Sequence, residues 1–168
     1  AVHVAATETV DAARKLAASE GLSSDQADDA MLGGILHDIG KLVLADHFGR
    51  DYALVCMAAE KTSIPLLSAE LDQFDASHAD VGGYLLGLWG LPGAVVEAIA
   101  FHHTPVLNQG ETFTPLTAVH IANVLDAQRD RRSNSSGGTA TLDEGYLERL
   151  CRRRGGQRDR AVRPRKLT

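Results

Sequence analysis

Aromatic side chains are scarce: three Tyr, four Phe and one Trp among 168 residues. Alanine is plentiful at 24 residues, and few aromatic or β-branched runs are left to build strands, so a mostly helical fold is expected. Cysteine is scarcer still. Cys56 and Cys151 stand far apart, which fits neither a disulfide framework nor a cysteine-based zinc site and makes a reducing cytoplasm the default expectation. No apolar run approaches ~18 residues, so no membrane span is expected. The opening AVHVAATETV has neither a basic segment nor a long apolar stretch, unlike a secretion signal. It also lacks an initiator Met, as in a chain cut from something longer. GxxxxGKS/T, GxGxxG and GxSxG patterns are absent, so nucleotide binding through a phosphate-cradling loop is not expected. There is no internal repeat.

What remains is 44% hydrophobic, enough for one globular domain with its own core. The net charge of −5 hides an asymmetry. Residues 152–168 carry eight basic side chains and one acid, while the body is strongly acidic. An acidic body does not read as a nucleic-acid-binding domain. The tail reads as a solvated, disordered end, with contact to nucleic acid or an anionic surface as the alternative.

Helical spacing and stop signals divide the chain further. A first helix is expected over 5–20, stopped by Gly21. Ser23 with Gln26 forms a capping box that opens a second helix, running through His37 to about Gly40. Helices follow over 51–61 and 65–71, the latter with Pro at its start. Ser77 with Asp80 caps another through Leu88, and Gly90 ends it. Pro92 begins a helix reaching His102 and His103, which Thr104-Pro105 stops. Residues 106–113 read as loop, and Thr114-Pro115 opens a helix through Ala127. The divisions expected are a helical domain over 1–130, a flexible linker over 131–141, a short helix over 142–150 and a basic, disordered tail over 151–168.

Seven histidines are present, and their company is informative. His37-Asp38 ends an apolar helix in GGILHDIGKLVLA, His78 starts one, and His102-His103 ends one. Imidazoles and carboxylates suit Zn, Mn and Fe. Helix ends let side chains converge on a shared cleft. Taken singly, each residue has a plainer reading. His37 and His78 read as hydrogen-bonded core residues, His3 and His47 as surface residues, and His120 as half-buried beside Asn123. Asp38 reads as a cap or a partner for Lys41. Glu70 and Asp72 read as solvated or structurally paired.

Together these segments carry a resemblance. LHDIGK at 36–41 resembles the signature of the HD superfamily of metal-dependent phosphohydrolases. SHADVGGYLLGLWGLPGAVVEAIAFHHTP at 77–105 closely resembles the HDOD family, the HD-related output domain of bacterial signalling proteins. PLTAVHIANVLDA at 115–127 and TLDEGYLERL at 141–150 are similar to its later segments. The resemblance implies an all-α, multi-helix bundle of the HD/HDOD type, and here the carboxyl-terminal part of such a module. It implies a role in bacterial regulation with signalling domains as partners, such as a receiver domain in the same parent chain. His37, Asp38, His78, His102 and His103 match metal-binding positions of the superfamily. With a divalent metal (Mn, Fe or Zn) in place, Asp38 and Lys41 would be the catalytic residues of a hydrolase, Lys41 near the phosphate.

The departures matter equally. The metal-binding His of the preceding helix falls near Ala5 or Ala6, with His3 a turn out of place. The metal-binding Asp of the last core helix matches Asn123, with Asp126 one turn later. No glycine-rich GYP motif follows His102-His103. A regulatory domain without catalysis is therefore the expectation. The alternative is a metal-dependent phosphohydrolase acting on a nucleotide or cyclic nucleotide.

Overall fold

Caps and glycine stops cut the chain into short helices. The computed structural model describes residues 7–133 and 140–161, with side chains over 9–129 and 140–152. In chain order the helices are α1 (Thr7–Ser19), α2 (Ser24–Leu36), α3 (Ile39–Phe48), α4 (Arg50–Thr62), α5 (Leu66–Phe74), α6 (His78–Leu88), α7 (Gly93–Phe101), α8 (Pro115–Ser133) and α9 (Glu144–Ala161). A single 3-10 turn at Pro105–Leu107 follows α7. No strand occurs among the described residues, and no helix there is long and apolar enough to cross a membrane.

The two capping boxes form as the spacing requires. Ser23 Oγ accepts from Gln26 N, and Gln26 Oε1 accepts from Ser23 N. Ser77 and Asp80 make the same exchange at the start of α6. At the far end of α6, the Trp89-Gly90-Leu91-Pro92 stretch is a corner. Gly90 has φ +76°, a left-handed conformation that favours glycine, and Pro92 opens α7. The chain therefore runs out along α6 and back along α7.

Helices α1, α2, α7 and α8 pack on one another, and α6 joins them through α7. Their core is built largely from small side chains. Ala13, Ala98, Leu116, Val119 and Ala122 form one cluster, and Ala17, Ala27, Ala30 and Ala118 another. Alanine at these positions lets helix axes approach closely. Leu86, Val95 and Ile99 fill the space between α6 and α7. Helices α3, α4 and α5 pack in succession as an arm, attached to the rest where α3 and, at its far end, α5 meet α6.

Three expectations need correction. The helix expected to run from 23 to about 40 breaks at His37-Asp38, and α3 is a separate helix. The pattern of apolar residues continues across the break, so periodicity alone reads it as one helix. The break sets α3 against α6, and Gly40 permits that contact: a Cβ there would overlap the His78 carbonyl. Residues 131–133, expected to open the linker, belong to α8, which continues through Ser133; residues 134–139 lie outside the described residues. The helix expected over 142–150 extends as α9 to Ala161, so 151–161 are helical rather than disordered. Asp143 Oδ1 accepts from Tyr146 N at the start of α9, and Tyr146 and Leu150 are buried. Glu148 and Arg152 form an i,i+4 pair at 3.0 Å. Residues 162–168 of the expected tail, and His3 with Ala5 and Ala6, lie outside the described residues.

Candidate metal centre

Three separate chain reversals deliver the polar groups. The break after α2 presents His37 and Asp38. The caps at Ser77 and Asp80 start α6 with His78. The α6–α7 corner returns the chain so that His102 and His103, just past α7, stand beside His78. His78 Nε2 lies 3.0 Å from His103 Nε2. One ligand atom each from Asp38, His78, His102 and His103 falls within a 4.8 Å span. His37 adjoins this set: its Nε2 is 3.6 Å from Asp38 Oδ2, and its ring meets that of His102 edge-on.

Burial is nearly complete. His102 is 0%, His78 1%, His37 2% and Asp38 5% exposed. His103 is partly exposed and marks the open edge. Burial would raise the Asp38 pKa, but the charge that His37, His78 and His102 carry when protonated, together with the Lys41 ammonium, holds it well below the usual carboxylate range. Lys41 Nζ donates to Asp38 Oδ2 at 2.7 Å. Burial lowers the pKa of His37, and drives those of His102 and His103 well down, so these rings are neutral at pH 7.

Neutral imidazoles carry one proton, and backbone carbonyls fix where it sits. His37 Nδ1 lies 3.0 Å from the Gly34 carbonyl, and His102 Nδ1 lies 2.8 Å from that of Ile99. Carbonyls only accept, so both protons sit on Nδ1 and both Nε2 atoms present lone pairs to the centre. His102 Nε2 faces Asp38 Oδ1 at 3.9 Å, and neither atom has a hydrogen-bond partner. Two buried acceptors facing each other without a shared proton are costly. A cation between them removes the cost. The nitrogen and oxygen donor set, with the lone pairs of His37 and His102 turned inward, fits a divalent metal.

The HDOD domain profile matches residues 3–105, more than half of the chain. The chain belongs to the HDOD domain family. Over 110 residues, 62% of its length, this HDOD chain is 27% identical to an uncharacterized protein of Treponema pallidum (strain Nichols), of which it spans 21%. It is also similar to a crystallised HDOD domain protein of unknown function from Geobacter sulfurreducens, with a TM-score of 0.73 and 20% identity over 91% of this chain and 52% of that one. A putative phosphohydrolase from Shewanella amazonensis SB2B shares the fold at a TM-score of 0.60 and 22% identity, over 89% of this chain and 58% of that one. At these identities the two structures speak for the fold alone. The HDOD chain thus spans about a fifth of its curated relative.

Within this HDOD fold, His37, Asp38, His78, His102 and His103 come together, with His37 adjoining the tightest four. Lys41 donates to Asp38, the pairing given as one of the plainer readings of Asp38. Asn123 lies one turn along α8 from His120, with its amide nitrogen buried and unpartnered. His47 and Asp72 are exposed. Two residues belong to the site's surroundings more closely than the sequence suggests. Glu70, read as solvated or structurally paired, is 0% exposed and accepts from His78. His120, expected half-buried, is 1% exposed and donates through Nδ1 to the His102 carbonyl. A lone acid or imidazole on a helix carries no local mark of such burial.

Proposed function

We propose that this HDOD domain is a regulatory module of bacterial signal transduction that holds a divalent ion (Mn, Fe or Zn) in its Asp/His centre without hydrolysing phosphate esters. The supporting observation is closure. Asp38, His78 and His102 are each 5% exposed or less, which leaves a phosphate ester little access to the centre. Lys41 points the same way. Its ammonium is bound to Asp38, which offsets part of the charge it would offer a phosphate. Asn123 in place of a carboxylate leaves the donor set one negative charge short.

Asp38, His78, His102 and His103 would hold the ion, with His37 beside them. A bound divalent cation supplies charge neutralisation and, in a hydrolase, polarisation of a phosphoryl oxygen. The remaining chemistry is the chain's own: carbonyl-fixed tautomers aim the lone pairs inward, and the buried Asp38 stays ionised. As an output module the domain serves signalling domains of the same parent chain, a receiver among them. The small share of the Treponema relative that it spans is in keeping with a module of a larger protein.

The second reading is a metal-dependent phosphohydrolase acting on a nucleotide or cyclic nucleotide. It is favoured by the partly exposed His103, which gives the centre one open edge. The two readings separate in one experiment. The protein is purified without added metal, its Mn, Fe and Zn are measured, and hydrolysis of bis(p-nitrophenyl) phosphate and cyclic dinucleotides is followed. We expect about one ion per chain, lost in Asp38→Ala, and no turnover by either form. Turnover by the wild type that disappears in Asp38→Ala decides for the hydrolase.

A further inference from the structure

We infer that Glu70 is a positioning residue of the metal centre, a buried carboxylate that sets the ring orientation and tautomer of His78 and is itself held by Tyr52. The inference rests on the metal-centre reading above and extends it to α4 and α5, which contribute no ligand. Glu70 lies on α5, His78 at the start of α6 and Tyr52 on α4.

The contacts leave Glu70 little freedom. Its Oε2 accepts from His78 backbone N at 2.9 Å and lies 2.6 Å from His78 Nδ1. One oxygen thus holds both the backbone and the ring of the same residue, which fixes where the ring points. Its Oε1 accepts from the Tyr52 hydroxyl at 2.7 Å. Tyr52 is 1% exposed, and burial together with the Glu70 carboxylate pushes its phenol pKa far up, so it stays a donor. Tyr52 occupies one oxygen of Glu70 and leaves the other for His78.

The consequence for the ligand is specific. A carboxylate accepts and does not donate, so the proton of a neutral His78 sits on Nδ1. Nε2 then keeps its lone pair, directed to where it lies 3.5 Å from Asp38 Oδ1 and 3.0 Å from His103 Nε2. Carbonyls do this for His37 and His102. At His78 the acceptor carries a full negative charge, which also strengthens the ring as a metal ligand. A carboxylate serving merely as a cap for α6 would need the backbone contact alone. The ring contact, the shorter of the two, has no part in capping.

The test uses Zn²⁺ and Mn²⁺ titrated into metal-free protein by calorimetry, with far-ultraviolet circular dichroism to check the fold. Glu70→Gln can accept both His78 bonds through its amide oxygen and donate to Tyr52, so it keeps the packing and removes the charge. We expect its dissociation constant to rise about tenfold with little change in melting temperature. Tyr52→Phe, which frees Oε1, should give a smaller rise and serves if Glu70→Gln does not fold. Nitrogen-15 chemical shifts of the His78 ring supply a signature that capping would not move: protonation at Nδ1 in the metal-free wild type, and a mixture of tautomers in Glu70→Met. Unchanged affinity in both Glu70→Gln and Tyr52→Phe, or a His78 proton on Nε2 in the wild type, overturns the role of Glu70 while the centre stands. A wild type that takes up neither ion overturns the centre, and this role with it.

Discussion

Two buried polar networks meet at His102, one through its carbonyl and one through its ring. The carbonyl accepts from His120 Nδ1 at 2.8 Å, and His120 Nε2 in turn accepts from Asp143 N at 3.1 Å. Nearby, Tyr146 and Thr117 share a hydroxyl contact at 2.7 Å. Each ring nitrogen of His120 has a partner of the right kind. The ring of His102 faces the other network, where its Nε2 and Asp38 Oδ1 have none. The same residue type, equally buried, is satisfied on one side and left as an open donor on the other. A satisfied network ties helices together, here α7, α8 and the start of α9. An unsatisfied one of lone pairs and a carboxylate asks for a cation.

Acid breaks the first of these networks less than the second. The pKa values of His37, His102, His103 and His120 are lowered by burial in the fold. The unfolded chain, with ordinary imidazoles near 6.5, therefore binds more protons below that pH. Stability of the metal-free protein is level above about pH 6.5 and falls as pH drops below it. Each histidine contributes up to about 1.4 kcal/mol per pH unit, so we expect a loss of several kcal/mol by pH 5. Urea unfolding between pH 5 and 8 reads this directly. Three of the four groups belong to the unsatisfied cluster, so replacing His120 should leave most of the slope in place. A flat profile would show that these imidazoles titrate alike in the folded and unfolded chains.

The unequal satisfaction of the two networks bears on what the sequence could disclose. Of the five cluster residues, His78, His102 and His103 are legible because local chemistry marks their helix ends: the capping serine before His78, the Gly90 and Pro92 corner, and Thr104-Pro105 after His103; His37 and Asp38 are legible only through the LHDIGK resemblance. Local signals also disclose the all-helical class. The break at Asp38 is not legible, because GGILHDIGKLVLA keeps a helical pattern across it. What sets α3 off is its backbone contact with α6 at Gly40, a tertiary fact. Glu70 is hidden for the same reason. In LLSAELDQF it reads as one more acid on an amphipathic helix, and only the return of the chain at His78 buries it. The extent of α9 is hidden too, since Tyr146 and Leu150 anchor it through burial that composition cannot report.

His120→Ala sharpens the contrast. It removes the group that satisfies both the His102 carbonyl and Asp143 N. Two backbone groups lose their partner at once, and we expect a loss of about 2–3 kcal/mol in urea unfolding. The donor atoms of the cluster are untouched, so metal affinity measured by calorimetry should change by less than about threefold, far below the loss expected for Asp38→Ala. A larger change would mean that the His102 carbonyl bond also holds its ring in place.

The smallest effect belongs to Tyr146→Phe. The ring stays buried, and the hydroxyl loses its contacts with the Thr117 and Thr114 side chains. Thr117 Oγ1 keeps a second partner, because Thr114 N donates to it at 3.3 Å. The buried Thr117 hydroxyl is not orphaned, so the cost should stay near about 1 kcal/mol, the net worth of a hydrogen bond. Affinity for Zn²⁺ should not move. If Tyr146→Phe costs as much as His120→Ala, the hydroxyl pair carries the attachment of α9, and His120 is secondary to it.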